Sequence, residues 1–285
     1  MSSIVRSTGK ALRLPFVREL SPLAKTLVAV GTYVVWTALT WLLEGRIETL
    51  LRPDAVADRL VYTGLANVVV GSALALLLVR EFVGSGFTTR SRLGFRSAPR
   101  TVVAVVLAGV LGFGLFVLQG PATTDPVVVA NVFAQVLPVS IAEIVVCWVV
   151  VGGSVAALLR RRGLAPHLAD GSALVVSAVL FGVYHFAHSP PFNTVGMVGL
   201  LTVVGLGTGL IYFVGGSFYG ALVFHNVMAL FGVVSSLAAA GQIGTYQQPL
   251  APLLATALVA LVVLVGIERL FVEPSVADRR DTPAV

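Results

Sequence analysis

Eight apolar segments dominate this sequence, and each is long enough to cross a bilayer as a helix. A hydrocarbon core of roughly 30 Å needs about 20 helical residues. Lipid offers no water to exposed backbone groups, so a spanning segment of this kind must be helical. The segments cover residues 26–43, 60–79, 101–119, 127–159, 172–187, 194–214, 217–235 and 250–267. The sequence therefore predicts an all-α fold, a polytopic membrane helix bundle of about eight transmembrane helices.

The fourth apolar segment, 127–159, is much longer than a bilayer requires. It contains Pro138, but no polar loop interrupts it. We therefore expect one long, kinked helix rather than two spans. With 57% hydrophobic and 11% charged residues, the chain is too apolar for a soluble domain of 285 residues.

The net charge of +6 would suggest nucleic acid as the partner of a soluble protein. Here the basic residues fall in the short segments between apolar runs, so we expect membrane lipid and no nucleic acid. The N-terminal tail and segments 80–100 and 160–170 are rich in Lys and Arg, whereas 120–126 carries only Asp125. The excess of basic residues on cytoplasmic loops predicts an integral, multi-pass protein of the cell membrane with both termini in the cytoplasm.

These patterns divide the chain into four parts. We expect a cytoplasmic basic N-terminal tail (1–25), three N-terminal transmembrane helices (26–119), a transmembrane core (120–267) and a polar C-terminal tail (268–285). The division follows the apolar runs and the charge of the segments between them.

Polar side chains inside the spans are the candidates for function. Of the 13 acidic residues, Glu143 alone is predicted to lie deep within a span. Of the four histidines, His185 ends the fifth span, His188 follows one turn later, and His225 lies in the seventh. Ionisable groups at membrane depth are costly, so they are functional candidates.

If Glu143, His185 and His225 meet, two chemistries remain open. One is a metal site of one carboxylate and two imidazoles, with zinc or another divalent ion and water in the fourth position. The other needs no metal: Glu143 and His185 deprotonate a water, while His225 stabilises the oxyanion that forms.

The stretch from Leu180 to Ala229 carries two further signals. Phe181-Gly-Val-Tyr-His185 has the form FxxxH, and the run GLGTGLIYFVGGSFYGALVFHN places Gly205, Gly209, Gly216 and Ser217 ahead of His225. In these residues the chain resembles the CPBP family of intramembrane proteases, also called the Abi or CaaX protease family, over roughly residues 100–235. The resemblance makes 120–267 a CPBP-like core and implies an endopeptidase that hydrolyses a peptide bond near the membrane interface, in a peptide or membrane-protein substrate. It gives the first Glu of the family's EExxxR motif and the FxxxH histidine, His185, the role of activating water, and His225 that of stabilising the oxyanion.

The first and third motifs of the family, EExxxR and HxxxN, are incomplete here. Aligned on EExxxR, the chain has Ala142 and Glu143 at the two Glu positions and Cys147 at the Arg position, while Ala229 replaces the Asn of HxxxN. Neighbouring helical residues point about 100° apart. We therefore expect neither Glu143 nor Asn226 to take over a missing role without a local shift, which a kink at Pro138 could supply.

The lost motif residues favour an alternative, a catalytically inactive homologue that acts as a membrane binding or self-immunity-type protein. A third interpretation is a proton-coupled transporter with a Glu and His relay. We interpret His188 as an interfacial residue near the outer end of its helix, with replacement of a lost motif group as the alternative. Cys147 is interpreted as a small buried hydrophobe, and Gly205 and Gly209 as a small-residue face for close helix packing.

Overall fold

A computed structural model describes residues 14–52 and 54–269 of the chain, and this part contains helices and no β-strand. Seven helical segments are long and apolar enough to cross a membrane, and a shorter apolar helix follows them. The predicted all-α polytopic bundle is therefore confirmed. The helices are α1 (Pro22–Gly45), α2 (Val56–Gly84), α3 (Ala98–Leu118), α4 (Pro126–Arg161), α5 (Pro166–Tyr184), α6 (Val195–Phe213), α7 (Phe218–Ala239) and α8 (Ala251–Ile267).

Several helices begin where the sequence carries a capping residue. The side chain of Asp125 accepts the backbone N–H groups of Val127 and Val128 at 2.8 and 3.2 Å, and Pro126 follows as the first residue of α4. Ser217 caps α7 by accepting the N–H of Gly220. Such caps satisfy N–H groups that the first helical turn cannot pair internally. The Gly-Ser pair at 216–217 thus has a structural role at the start of α7.

Helix α4 is the centre of the bundle. As predicted, it runs as one continuous helix through Pro138, and its most apolar stretch is 89% buried. It packs against α1, α2, α5, α7 and α8. By contrast, the most apolar stretch of the segment containing α3 is only 17% buried, and Val110 and Leu118 of α3 are 70% and 83% exposed. Large apolar side chains on the outside of a helix bundle suit contact with lipid, so this is an integral membrane protein.

Small residues allow the close approach of α5 and α6. A side chain at Gly205 would meet Phe181 at 2.9 Å, and one at Gly209 would meet Leu174 at 2.9 Å. The interpretation of these glycines as a packing face is therefore confirmed. The close contact brings the C-terminal end of α5 against α6, next to α4.

Among the described residues, four acidic side chains are buried, so Glu143 is not the only buried acid, although the other three lie near helix ends. Glu81 pairs with Arg18, and Glu268 pairs with Arg90 and accepts a hydrogen bond from Tyr219. Glu44 is fully buried at the end of α1. These groups escaped notice because they lie near helix ends, where the apolar pattern fades and burial depends on neighbouring elements.

The predicted tails lie largely outside the described part of the chain. Residues 1–13 of the predicted N-terminal tail and 270–285 of the predicted C-terminal tail are not described. Within the described part, a short helix, Pro15–Glu19, precedes α1, which begins at Pro22. The orientation with both termini in the cytoplasm stays a prediction.

Candidate functional site

A cavity of about 100 Å³ lies beside the middle of α4. Helices α2, α4, α5, α6 and α7 surround it, together with the loops after α1 and α5. A buried water needs roughly 10–15 Å³ of such space, so the cavity can hold several water molecules. Its polar side chains are Tyr62, Gln135, Ser140, Glu143, His185, His188 and His225. Most of the remaining lining is apolar, as expected for a site that receives an apolar ligand.

Glu143 lies midway along α4 and points into this cavity, where its side chain is 5% exposed. One carboxylate oxygen, Oε2, lies 2.8 Å from Nε2 of His225. The other, Oε1, lies 3.8 Å from Nε2 of His185. The structure therefore brings all three predicted site residues together from three separate helical segments. Their catalytic and metal-binding roles stay predictions.

His225 is engaged through both ring nitrogens. Nε2 contacts Glu143, and Nδ1 lies 3.1 Å from the hydroxyl of Thr208 on α6. The rings of Trp148 and Phe181 pack edge-on against the imidazole, with centroids 5.6 and 4.9 Å away. A histidine held in this way fixes the position of the Glu143 carboxylate, and neither of its nitrogens is left to contact a substrate.

His185 presents a free nitrogen to the cavity. Its Nδ1 lies 2.8 Å from the carbonyl oxygen of Phe181. A carbonyl only accepts hydrogen bonds, so the proton must sit on Nδ1, and in the neutral ring Nε2 keeps its lone pair. That lone pair faces Oε1 of Glu143. Phe181 therefore acts twice in the FxxxH motif, because its carbonyl sets the tautomer of His185 and its ring packs against both His185 and His225.

A second Glu and His pair adjoins the cavity, and the sequence interpretation missed it. Nδ1 of His188 lies 3.1 Å from Oε2 of Glu44, and the imidazole is 7% exposed. The ring of His188 stacks on that of His185 with centroids 5.1 Å apart. His188 is therefore buried and paired with a carboxylate, and its depth relative to the membrane interface stays a prediction.

Ser189 and Gly45 hold the second pair in place. The backbone N–H of Ser189 donates to Oε2 of Glu44 at 2.9 Å, and the Ser189 hydroxyl donates to Oε1. At Gly45 an added Cβ would lie 2.1 Å from the carbonyl oxygen of Ala187. Only glycine lets the end of α1 come this close to the turn that carries His188. The sequence held one clue, a Glu-Gly pair directly after the predicted span 26–43, but nothing local shows its partner.

Glu143, rather than Ala142, faces the histidines from α4. Ala142 faces away from the histidines and packs against α2, where an added side chain at Gly71 would meet its Cβ at 2.6 Å. Glu143 itself reaches both imidazoles. For Asn226 the expectation holds, because its amide donates to the carbonyl of Phe133 at 3.4 Å, away from the cavity that Ala229 lines.

The site offers one compact set of ligand atoms for a metal. Glu143, His185 and His188 each present an atom, and these three atoms lie within 4.8 Å of one another. His225 is not in this set, and its two nitrogens contact Glu143 and Thr208. Cys147 is fully buried in the core and is absent from the lining of the cavity, which agrees with its interpretation as a buried hydrophobe.

Residues 153–231 match the family model described as type II CAAX prenyl endopeptidase Rce1-like. The matched region runs from the second half of α4 to α7 and contains His185, His188 and His225, while Glu143 precedes it. No curated protein and no solved structure matches the chain. Over this region the match agrees with the resemblance to the CPBP family. The seven long apolar helices make the chain an integral membrane protein.

Proposed function

We propose that the chain is an intramembrane endopeptidase that hydrolyses a peptide bond with a water held between Glu143 and His185. The observation that carries this proposal is the gap of 3.8 Å between Oε1 of Glu143 and Nε2 of His185 inside the cavity. Both atoms accept hydrogen bonds, and the gap is too long for a direct one. A single water that donates one hydrogen to each atom would satisfy both.

Such a water is placed for attack on a carbonyl. As its oxygen bonds to the carbonyl carbon, one proton passes to the Glu143 carboxylate, which acts as the general base. When the carbon–nitrogen bond breaks, Glu143 returns this proton to the leaving nitrogen. His185 orients the water through its lone pair, and the Phe181 carbonyl keeps the His185 tautomer that allows this.

His225 acts as a positioning residue in this proposal. Its contact to Oε2, supported by the Thr208 hydroxyl, holds the carboxylate so that Oε1 faces His185. The sequence predicts oxyanion stabilisation by His225 instead. We do not assign that role, because both of its nitrogens already have partners.

The position of Glu143 beside His185 supports its assignment. The resemblance gives water activation, together with the FxxxH histidine, to the first Glu of EExxxR. Aligned from Glu143, the motif has Ile144 and Trp148 at the positions of the second Glu and the Arg. Trp148 packs its ring against His225. We therefore assign Glu143 the part of the first Glu, with the rest of that motif replaced by core residues.

We propose an apolar segment of a peptide or membrane protein as the substrate. Val136, Phe192 and Leu201 are among the apolar residues that line the cavity. The cavity lies among helices of the bundle. The resemblance is to a family named for prenylated CAAX substrates, and nothing in the lining selects that motif.

The test replaces His185 by Ala in the full chain reconstituted in liposomes. Candidate substrates are found by comparing new peptide ends, mapped by mass spectrometry, in membranes that hold the wild type or the variant. We expect cleavage to fall by roughly 100-fold or more, as when a group that orients the reacting water is lost. His167→Ala is the matched control, because His167 is exposed at the start of α5. Undiminished cleavage by His185→Ala would overturn the proposal.

A second candidate function is a membrane binding protein that keeps the fold without cleaving. It is supported by Ala229, which lines the cavity at the position of the family's Asn. In this case the Glu143, His225 and Thr208 chain would serve as a structural hydrogen-bond network. The two candidates differ in what replacement of Glu143 does to folding and to cleavage.

A further inference from the structure

We propose that Glu143, His185 and His188 bind one divalent transition-metal ion, with Glu44 as the outer partner that holds His188. This ligand set differs from the one predicted by sequence, in which His225 takes the place of His188. The ion would bind the two groups that hold the water in the proposed peptidase, and the water would then be its fourth ligand. Binding is measured without cleavage, and only its catalytic meaning rests on the proposed function.

The three ligand atoms converge in a buried place. They lie within 4.8 Å of one another, a spread that small side-chain rotations can close, and all three side chains are buried. Within the described chain, Nε2 of His188 has no hydrogen-bond partner, although the residue is only 7% exposed. Nε2 of His185 also keeps its lone pair. These two lone pairs and the Glu143 carboxylate are all acceptors, and a cation would satisfy all three.

The groups behind the ligands have the arrangement that metal sites use. A histidine that binds a metal donates its other ring N–H to a carbonyl or a carboxylate, which fixes the ring and raises its basicity. His185 uses the carbonyl of Phe181 at 2.8 Å, and His188 uses the carboxylate of Glu44 at 3.1 Å. Ser189 in turn donates twice to Glu44. Both imidazoles are therefore oriented before any ion arrives.

His225 belongs outside this ligand set. Its Nε2 contacts Oε2 of Glu143, the carboxylate oxygen that does not face His185. His225 thus orients the third ligand, just as Glu44 orients the second. Two imidazole nitrogens and one carboxylate oxygen suit Zn²⁺, and cavity water can supply a fourth ligand. A bound zinc ion would supply Lewis-acid activation of water.

The experiment measures metal binding by the full chain in detergent. After treatment with a chelator, the protein is titrated with Co²⁺ and then Zn²⁺, followed by visible absorption and by elemental analysis. We expect one equivalent of metal and the absorption of four-coordinate Co²⁺. His185→Ala and His188→Ala should each weaken binding by at least 100-fold, whereas exposed His167→Ala should bind as the wild type does.

Two further variants separate the outer groups from the ligands. Glu44→Gln should weaken binding by about 10- to 100-fold, the usual cost of losing an outer partner. His225→Ala should still bind one equivalent of metal, and its affinity should fall by no more than about 10- to 100-fold. Unfolding midpoints are measured for every variant. If Glu44→Gln does not fold, Ser189→Ala, which removes one donor to Glu44, takes its place with an expected loss of several-fold.

Two results would overturn the proposal. One is the absence of binding that exceeds the His185→Ala background. The other is binding that survives His188→Ala and disappears in His225→Ala, which would restore the ligand set predicted from sequence. Neither result contradicts the proposed peptidase, because that proposal is tested separately by comparing cleavage by the wild type and by His185→Ala. Metal binding without cleavage would in turn contradict the peptidase alone.

Discussion

The two buried Glu and His pairs of this protein differ in how fully they are satisfied. In the pair of Glu143 and His225, both imidazole nitrogens have partners, and Thr208 closes the chain of contacts. In the pair of Glu44 and His188, one nitrogen meets the carboxylate and the other has no partner among the described residues. The first pair consists of motif residues, and its histidine fixes the position of the Glu143 carboxylate. The second pair lies outside the motifs, and Nε2 of His188 is available to bind a ligand.

This difference shows that the motifs contain some residues of the site and omit others. Glu143, His185 and His225 are where the family resemblance directs attention. Glu44, which contacts His188 at the same cavity, comes from the end of α1, 144 residues before His188 in the chain. The two pairs can be disturbed separately, so the comparison is open to direct experiment.

The largest effect is expected from Gly45→Ala, which separates the ends of α1 and α5. The added Cβ would lie 2.1 Å from the Ala187 carbonyl oxygen, so the backbone must shift and Glu44 must leave His188. We expect a loss of about 2 to 3 kcal/mol in the free energy of unfolding, as in overpacked cores. Gly31→Ala in the same helix is the control, because a Cβ there meets nothing within 4 Å. Equal stability of the two variants, measured in detergent, would contradict the close approach at Gly45.

A smaller effect is expected from Thr208→Val, which acts on the satisfied pair. The variant leaves Nδ1 of His225 buried without its partner, which costs about 1 to 2 kcal/mol. Cleavage should fall by roughly 5- to 10-fold, since about 1.4 kcal/mol corresponds to tenfold. Thr202→Val on the same helix removes a hydroxyl that bonds only to the Val198 carbonyl, and it should cleave as the wild type does. If the two variants have the same cleavage rate, Thr208 does not support the site.

The smallest effect is expected from Asn226→Leu. The Asn226 amide points to the Phe133 carbonyl, and its Oδ1 is buried without a partner in the described chain, so its loss should change stability by less than about 1 kcal/mol. Cleavage should stay within about twofold of the wild type. A loss of about 100-fold or more, the usual cost of removing an oxyanion donor, would show that Asn226 turns toward the substrate.

The fold was accessible from the sequence because hydropathy is a local property. The spans and the single long helix through Pro138 follow from the apolar runs of the sequence. Contacts between distant segments cannot be recognised from the local sequence in this way. Glu44 resembles a loop residue beside Gly45, and its burial becomes visible only when the turn at Ala187 lies against it. The side of α4 that Glu143 occupies likewise depends on where that helix packs, which a motif alignment does not show.

The site was predictable to the extent that ionisable side chains are rare inside a membrane. A carboxylate and histidines stand out in apolar spans, so Glu143, His185 and His225 could be selected before their positions were known. The separate roles of these three residues could not be predicted from the sequence. The Phe181 carbonyl fixes the tautomer of His185 and the Thr208 hydroxyl occupies His225, and both contacts depend on atoms rather than on residue types.

The most direct measurement compares Glu143→Gln with the wild type for unfolding midpoint and cleavage rate in one reconstituted preparation. Glutamine keeps the size of the side chain and a contact to His225, but it cannot take a proton from water. The account predicts a cleavage rate lower by roughly 100-fold or more, with a nearly unchanged midpoint. A fall in the midpoint with undiminished cleavage by the folded fraction would contradict it, and would make Glu143 part of a structural network.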